Sequence, residues 1–469
     1  MMVTKTNFKG LQIIETDVYG DNRGWFTESY TKSKFVEHGI DIDFIQDNQS
    51  YSAQKGTLRG IHFQNNPKAQ TKIIRCTRGA IIDTVVDLRK GSDTYKQWFS
   101  IELSAENKTQ LLVPKGFGHA FLTITDDVEV QYKVDEYYSK EQDRSIRFDD
   151  PQIGVEWGVK DLILSEKDLT APLLEDSDAN FSIRVLVTGV NGQLGHDVVK
   201  RLNQLGIETI GAGKGELDLT DREQTQDLIV KNKPDVVVHC AAYTAVDQAE
   251  KDKDLCYVVN VSGTRNIAEA CRKVDAKLVY ISTDYVFDGE GTEPNLEAKT
   301  TKPINYYGYS KEQGELAVKE TLEKYFIIRT SWVYGMNGNN FVKTMLKLAQ
   351  SKEEISVIND QIGSPTYTLD LAVLICDMLQ TTKYGIYHGV NEGYCSWHEF
   401  AIAIFDIAGI SIKVNPISTI QYNTKAKRPL NSRLSKENLD KNGLKRLPQW
   451  KDALGRFIKE KIMTGELSK

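Results

Sequence analysis

Tyr307 and Lys311 stand four residues apart in the stretch PINYYGYSKEQGE (303–315). Four residues is about one helical turn, so the phenol and the ammonium share a helix face. A nearby ammonium favours phenolate and lowers a phenol's pKa, which equips Tyr307 to exchange a proton with a carbonyl oxygen. Just upstream, ISTDYVFDG (281–289) puts Thr283 at the end of a β-rich run, where parallel sheets bind their ligands. A Tyr and a Lys at this spacing alone describe an ordinary amphipathic helix. Their context is what singles them out. In RVLVTGVNGQLG (184–195), Gly189, Gly192 and Gly195 follow an apolar strand and open a helix. A side chain would crowd the turn at the first, the approach of a pyrophosphate at the second, and helix–strand packing at the third. The helix N-terminus supplies free N–H groups and a positive dipole end for phosphate.

A second polar group lies in residues 1–180. Arg59, His62, Lys72, His119 and Tyr132 all fall on strand-like segments. Singly, each reads as a satisfied structural group. Five together line a wet pocket. A cupin-type metal site needs two close histidines with a carboxylate, whereas RGIHFQ offers one histidine followed by Phe and Gln. A base in a positive pocket fits better than a metal.

The elements that position these residues follow from hydrophobic period. The first half is written in strands: 72–89 broken at Gly79, 98–104, and 120–134, with turn signals at 91–93, 114–116 and 126–127. Short strands at such spacing predict an all-β jelly roll; only 32–38 reads as helix. From residue 184 strands alternate with helices. Strands are expected at 184–188, 208–210, 235–240, 277–282 and 326–330, and helices at 196–205, 222–231, 259–273 and 307–322. This is the alternation of an α/β doubly wound Rossmann domain. Helices at 369–379 and 397–408 belong to a small C-terminal substrate lobe. An acidic, small-residue patch at 175–180 has no period, so the chain is multidomain, with domains 1–181 and 182–469.

Bulk composition narrows the partners. With 469 residues, a net charge of −6 and no basic stripe, a nucleic-acid or membrane-surface protein is not expected. Six cysteines without a CxxC pair read as buried free thiols of a cytoplasmic protein. The N-terminus lacks an apolar leader, and no run is long enough to span a bilayer. The loop GAGKGELDL (211–219) shows no acid at the strand end, and Lys214 can meet a 2′-phosphate. That favours NADPH, with NADH possible. Asp218 either lies near the adenine or caps a turn.

The first half closely resembles the dTDP-4-dehydrorhamnose 3,5-epimerase family, cupin-like in fold, through DNRGWFTE (21–28), QDNQSYSAQKGTLRGIHFQ (46–64), VPKGFGHAF (113–121) and LSEKD (164–168). The resemblance implies His62 as general base, polarised by Asp168. It implies Tyr132 as acid on the opposite sugar face and Lys72 as stabiliser of the enolate oxygen. Arg23, Phe26, Glu28, Gln46, Asn48 and Arg59 would hold nucleotide and diphosphate, with His119 near the sugar. The chemistry is consistent: a C4 ketone acidifies C3 and C5, the enolate needs a donor at its oxygen, and inversion needs a base and an acid on opposite faces. Members of this family tend to dimerise, so a homodimer through the β-domain is expected.

The second half resembles the extended short-chain dehydrogenase/reductase family and, more narrowly, dTDP-4-dehydrorhamnose reductases. The stretches are TGVNGQLG, ELDLTD, HCAAYTAVDQAE, VNVSGT, STDYVFDG, RTSWVYG, DQIGSPTYT and KRPLNSRL. By resemblance Tyr307 is the proton donor, Lys311 binds the nicotinamide ribose and Thr283 orients the carbonyl. Trp332, Pro365 and Arg428 would surround the sugar nucleotide; a guanidinium also suits a diphosphate on physical grounds. The cofactor set is Gly189, Asn191, Gly192, Gln193, Leu194, Gly195, Asp218, Leu219, Ala241, Ala242 and Tyr243, with Tyr307 and Lys311. Some members bind a metal at a dimer interface; no residue pattern assigns one here. The expected function is epimerisation of a dTDP-4-ketosugar at C3 and C5, then reduction at C4. The alternatives are the same chemistry on another nucleotide ketosugar, the C4-epimeric product, or one half serving only as a dimerisation or binding platform.

Overall fold

The computed structural model describes residues 1–422 and 424–463. The chain divides into two units, Met1–Ser182 and Ile183–Lys469, one residue beyond the expected boundary.

The first unit holds two antiparallel sheets. One runs Met2–Lys5, Gln12–Glu15, Gln110–Val113, Lys72–Arg78, Val128–Val134, Gln46–Ser52; the other runs Asp143–Ser145, Leu58–Gln64, Phe117–Thr123, Ala80–Asp87, Trp98–Ser104. Alternate residues of each bury against the other, with Ile74, Cys76 and Val130 meeting Ile81, Val85 and Phe121. Two features depart from the simple strand period. Strand Leu58–Gln64 carries a bulge: His62 pairs with His119 but Arg59 pairs with Phe121. The extra residue turns Arg59 and His62, three apart, onto one face. The second is a helical turn at Glu166–Leu169, although only 32–38 was expected to be helical. Ser165 caps it, its Oγ accepting from the Asp168 N–H at 3.2 Å. An N-cap serine satisfies a donor that an extended chain would leave open.

The second unit is a six-stranded parallel sheet in the order Glu208–Ala212, Arg184–Thr188, Val236–His239, Lys277–Thr283, Tyr325–Thr330, Gly385–His388. Strand residues alternate between two cores. Val185 and Val187 pack with helices Gln193–Gln204 and Thr368–Leu379. Leu186 packs with Ile267 and Cys271 of Gly263–Val274 on the other face. Strand order reverses beside Arg184–Thr188, which opens the ligand crevice of such sheets at its C-terminal end. The first helix begins at Gln193, three residues before expectation, because Gly192 serves as its N-cap. The helix expected over 259–273 starts instead as a π-helical turn, Val258–Ser262. A separate apolar cluster gathers Tyr334, Phe400 and Phe457 beside the parallel pair Glu354–Ile358 and Lys413–Ile417. Among the described residues no helix is long and apolar enough to cross a membrane.

A buried ion pair ties the helix bearing Tyr307 to the sheet. Glu315 of helix Tyr306–Thr321 accepts from Arg329 Nε at 2.8 Å and Nη2 at 2.7 Å, and from Ser282 Oγ at 2.6 Å. Both charged side chains are nearly inaccessible. Removing one partner strands a buried charge. Arg329→Met should therefore cost about 3–5 kcal/mol of stability, read as a lowered denaturation midpoint; an unchanged midpoint would contradict it.

Two candidate active sites

In the first unit, His62 Nε2 lies 2.5 Å from Asp168 Oδ1. The other carboxylate oxygen accepts from Ser165 Oγ at 2.8 Å. Burial pushes the Asp168 carboxyl up, but hydrogen bonds from His62 and Ser165 and the charge of His62 outweigh it and hold the pKa below the usual value. The carboxylate is thus built to stay ionised and hold the imidazole. His119, opposite His62 in the sheet, makes a second such pair: its Nε2 is 2.6 Å from Asp83 Oδ1. The facing sheet presents the other groups. Tyr132 pairs in register with Asn48, and Val134 with both Gln46 and Lys72. The even period therefore sets Gln46, Asn48, Lys72 and Tyr132 on one face. Lys72 Nζ stands 5.9 Å from the Tyr132 ring centre. Burial pulls the Lys72 ammonium down to about 8, against the attraction of Asp83 and Asp143. Burial also raises the Tyr132 phenol, which keeps it protonated. Arg59 reaches across to the first sheet, bonding Ser52 Oγ at 3.1 Å and Tyr51 O at 2.9 Å.

Three predicted residues stand apart from this cluster. Arg23 and Phe26 lie on the hairpin Val18–Asp21/Gly24–Thr27. Arg23 pairs with Asp21, Phe26 is 63% exposed, and Glu28 pairs with Lys34. Among the described residues, no hydrogen bond or ion pair joins these three to the His62 group.

In the second unit the glycine loop has the tightness its spacing predicts. Gly189 has φ +69°, and a Cβ there would lie 2.7 Å from Ala241 N; one on Gly195 would strike Gly189 O at 2.3 Å. The loop and Ala241 close together over the strand ends, and the N–H groups of Gln193, Leu194 and Gly195 open the helix with no side-chain cap. A Cβ on Gly192 would meet Gly189 O at 3.2 Å. Gln193 Oε1 accepts from Gly335 N at 2.9 Å, and the Asn191 carbonyl accepts from Asn337 Nδ2 at 2.8 Å. Ala242 lies between Ala241 and Tyr243. Tyr243 N donates to Asn260 Oδ1 at 2.8 Å. Leu219 is core. Asp218 caps its turn, accepting from Thr220 N and Oγ1 at 2.9 and 2.7 Å. One expectation is corrected at the second strand's end. An acid does stand there: the turn 213–217 folds Glu216 back so that its carboxylate accepts from Gly213 N at 2.9 Å. Lys214 beside it is exposed.

Thr283 and Tyr307 are brought within hydrogen-bonding reach of each other. Tyr307 also meets Tyr285 edge-on, ring centres 5.8 Å apart. Burial and the nearby Asp284 push the Tyr307 phenol well up. The ammonium was expected to pull that phenol down. It is itself buried, which draws Lys311 down to about 7, and its Nζ sits 4.1 Å from the Tyr280 ring centre. Tyr307 is therefore a protonated donor in this state. Trp332 has φ +48° and stacks on Trp397 at 3.8 Å. The Trp332 carbonyl accepts from Thr366 N, which sets buried Pro365 beside it. Arg428 pairs with Asp247 at 2.9 Å.

Sequence reading missed two positioning groups. Asn260, in the π-turn, donates to Tyr243 O at 3.1 Å and Ser310 Oγ at 2.9 Å, linking the cofactor-side loop to the Tyr307 helix. π-Turns within helices mark functional positions, but nothing in VNVSGT announces one. Asp284, beside Thr283, is buried, which raises its carboxyl to about 6.

A family model described as the RmlD substrate binding domain matches residues 183–463. One described as dTDP-4-dehydrorhamnose 3,5-epimerase matches residues 5–176. The spore coat polysaccharide biosynthesis protein SpsK of Bacillus subtilis is 42% identical over 278 residues, 59% of this chain and 98% of that protein. A Bacillus anthracis dTDP-4-dehydrorhamnose reductase solved in complex with NADP is 49% identical, covering 59% of this chain and 99% of its own, with a TM-score of 0.59. A Bacillus anthracis dTDP-4-dehydrorhamnose 3,5-epimerase solved with TDP and PPi bound is 51% identical over 37% of this chain and 98% of its own, with a TM-score of 0.36. The chain belongs to the family of the RmlD substrate binding domain, and it carries a dTDP-4-dehydrorhamnose 3,5-epimerase domain ahead of it in the same polypeptide.

Proposed function

We propose that the chain makes dTDP-L-rhamnose in two consecutive steps: epimerisation of dTDP-4-dehydro-6-deoxy-D-glucose at C3 and C5, then reduction of the C4 ketone. One observation carries the reading. The grouping of the residues read as acid and base supports it: His62 with Asp168 on one sheet and Lys72 with Tyr132 on the other in the first unit, and Thr283 with Tyr307, one helical turn from Lys311, in the second.

In the first step His62 removes the proton from C3 or C5, and Asp168 holds the imidazole and stabilises its charge. The electron pair moves to the C4 oxygen as an enolate, which the Lys72 ammonium stabilises. Tyr132 returns a proton from the opposite face, inverting the centre. Gln46, Asn48 and Arg59 take the nucleotide and diphosphate, and His119, held by Asp83, lies by the sugar. In the second step NADPH, when bound, supplies hydride for C4. The bare backbone of the loop suits its pyrophosphate: without a Cβ, Gly189 packs on Ala241 and Gly195 on Gly189, and Gly192 leaves the approach to the helix N-terminus open. Thr283 orients the ketone, Lys311 holds the nicotinamide ribose, and Tyr307 gives its proton to the C4 oxygen. Trp332, Pro365 and Arg428 hold the sugar nucleotide.

We read the two antiparallel sheets as a jelly roll and the Tyr334–Phe400–Phe457 cluster as the core of a substrate lobe. The exposed hairpin side chains Val18, Tyr19, Trp25 and Phe26 support a homodimer through the β unit. The six free cysteines suit a cytoplasmic protein. Reduction removes the product of an unfavourable epimerisation, and sharing one chain keeps the two activities in equal number.

The assignment of Lys72 sets a pH dependence. With its pKa lowered from 10.5 to about 8, the ammonium is present below that pH and lost above it. Exchange of the C3 and C5 protons should fall as pH rises through about 8, and Lys72→Arg should move that limb upward. A flat profile to pH 10 would remove Lys72 from this role. The product itself is tested by NMR. An L-rhamno configuration at C4 is expected; an L-talo product would mean the ketone is held with its other face toward the hydride.

A further inference from the structure

Asp247 lies on the turn Val246–Ala249, four residues after Tyr243. It makes two bonds to a segment far away in sequence. Its Oδ2 accepts from Arg428 Nη2 at 2.9 Å, and its Oδ1 accepts from Ala426 N at 3.0 Å. Asn305, which caps the Tyr307 helix, adds a third tie, its Nδ2 donating to Lys427 O at 2.8 Å. Beyond Arg428, Pro429 sits against Gly289, where a Cβ would come within 2.5 Å of it. The arginine is thus fixed from both sides along the chain and at its guanidinium. Its Nε is buried and has no hydrogen-bond partner among the described residues. A buried donor without a partner is costly, and a ligand oxygen would satisfy it.

We propose that Asp247 is the positioning residue for diphosphate recognition in the second site. It orients the Arg428 fork before substrate arrives and leaves the buried Nε–H for a phosphate oxygen. The inference rests on the assignment of Arg428 to the diphosphate. A guanidinium binds phosphate best as a preset planar fork. Without Asp247, the Arg428 side chain must be ordered by the substrate itself, which weakens binding. The Asp247 side chain is 43% exposed and that of Arg428 26%. Such a pair contributes little to folding, so its loss should act on binding.

The test uses the full chain, with preformed dTDP-4-dehydro-L-rhamnose and NADPH oxidation as readout. Asp247→Ala and Asp247→Asn should each raise the KM for the ketosugar by about 3- to 10-fold, the span expected for ordering one long side chain on binding. The kcat and the KM for NADPH should stay within about twofold, and D247A/R428A should be no worse than R428A alone. D247N keeps an acceptor for Ala426 and loses the one for Arg428, so its rise isolates the guanidinium contact. An unchanged or lowered KM, additive effects in the double variant, or a parallel rise in the KM for NADPH would each overturn the proposal. If R428A leaves the ketosugar KM unchanged, the diphosphate assignment fails and the inference with it. If R428A raises it and D247A does not, only the inference fails.

Discussion

Replacing His62 with alanine should slow exchange of the C3 and C5 protons by ~10²–10⁴-fold, the range of a lost general base. His62 is the imidazole assigned as base, its Nε2 held by a buried carboxylate at 2.5 Å; His119, held the same way by Asp83 at 2.6 Å, is the acceptor that retained exchange would point to. The second half should be untouched: given preformed dTDP-4-dehydro-L-rhamnose, the variant should oxidise NADPH at the parent rate. Asp168→Asn separates base from holder. It keeps the side chain's shape and its contact with Ser165 but removes the charge that stabilises a protonated His62. A smaller loss than in H62A, with the ketosugar KM little changed, is expected. Exchange retained in H62A would assign the base elsewhere.

Tyr307→Phe should cut C4 reduction by a comparable ~10²–10⁴-fold while NADPH binding, followed by nicotinamide fluorescence, stays intact. The hydroxyl is the atom lost, and the glycine loop and Lys311 do not depend on it. Proton exchange at C3 and C5 should proceed normally, so deuterium-labelled ketosugar accumulates. Burial keeps the phenol protonated, so Tyr307 enters the step as an acid. Loss of NADPH binding in Y307F would mean that the residue builds the cofactor site and does not donate the proton.

Much of the architecture was legible because period and punctuation agree. The expected strands 98–104 and 184–188 and the helix 397–408 coincide with Trp98–Ser104, Arg184–Thr188 and Trp397–Ala408. The last carries a full capping box between Ser396 and Glu399, a local signal readable from sequence. What escaped was non-local. The face shared by Arg59 and His62 depends on a bulge that only the partner strand reveals. The return of Glu216 to Gly213 needs the geometry of a turn whose residue types permit several. Asp247 and Arg428 are 181 residues apart, and the stack of Trp332, expected around the sugar nucleotide, on Trp397 joins stretches distant in sequence. The direction of the Tyr307 shift was misjudged for a related reason. Spacing reveals that an ammonium is near, but not that phenol and ammonium are both buried, and burial decides the sign.

The most direct measurement places the full chain in D₂O with dTDP-4-dehydro-6-deoxy-D-glucose, first without and then with NADPH. Deuterium should appear at both C3 and C5 before cofactor is added. NADPH should then be consumed, one equivalent per dTDP-L-rhamnose formed. Deuterium without NADPH consumption would contradict the reductase assignment. Absence of both signals would contradict the two-step account as a whole.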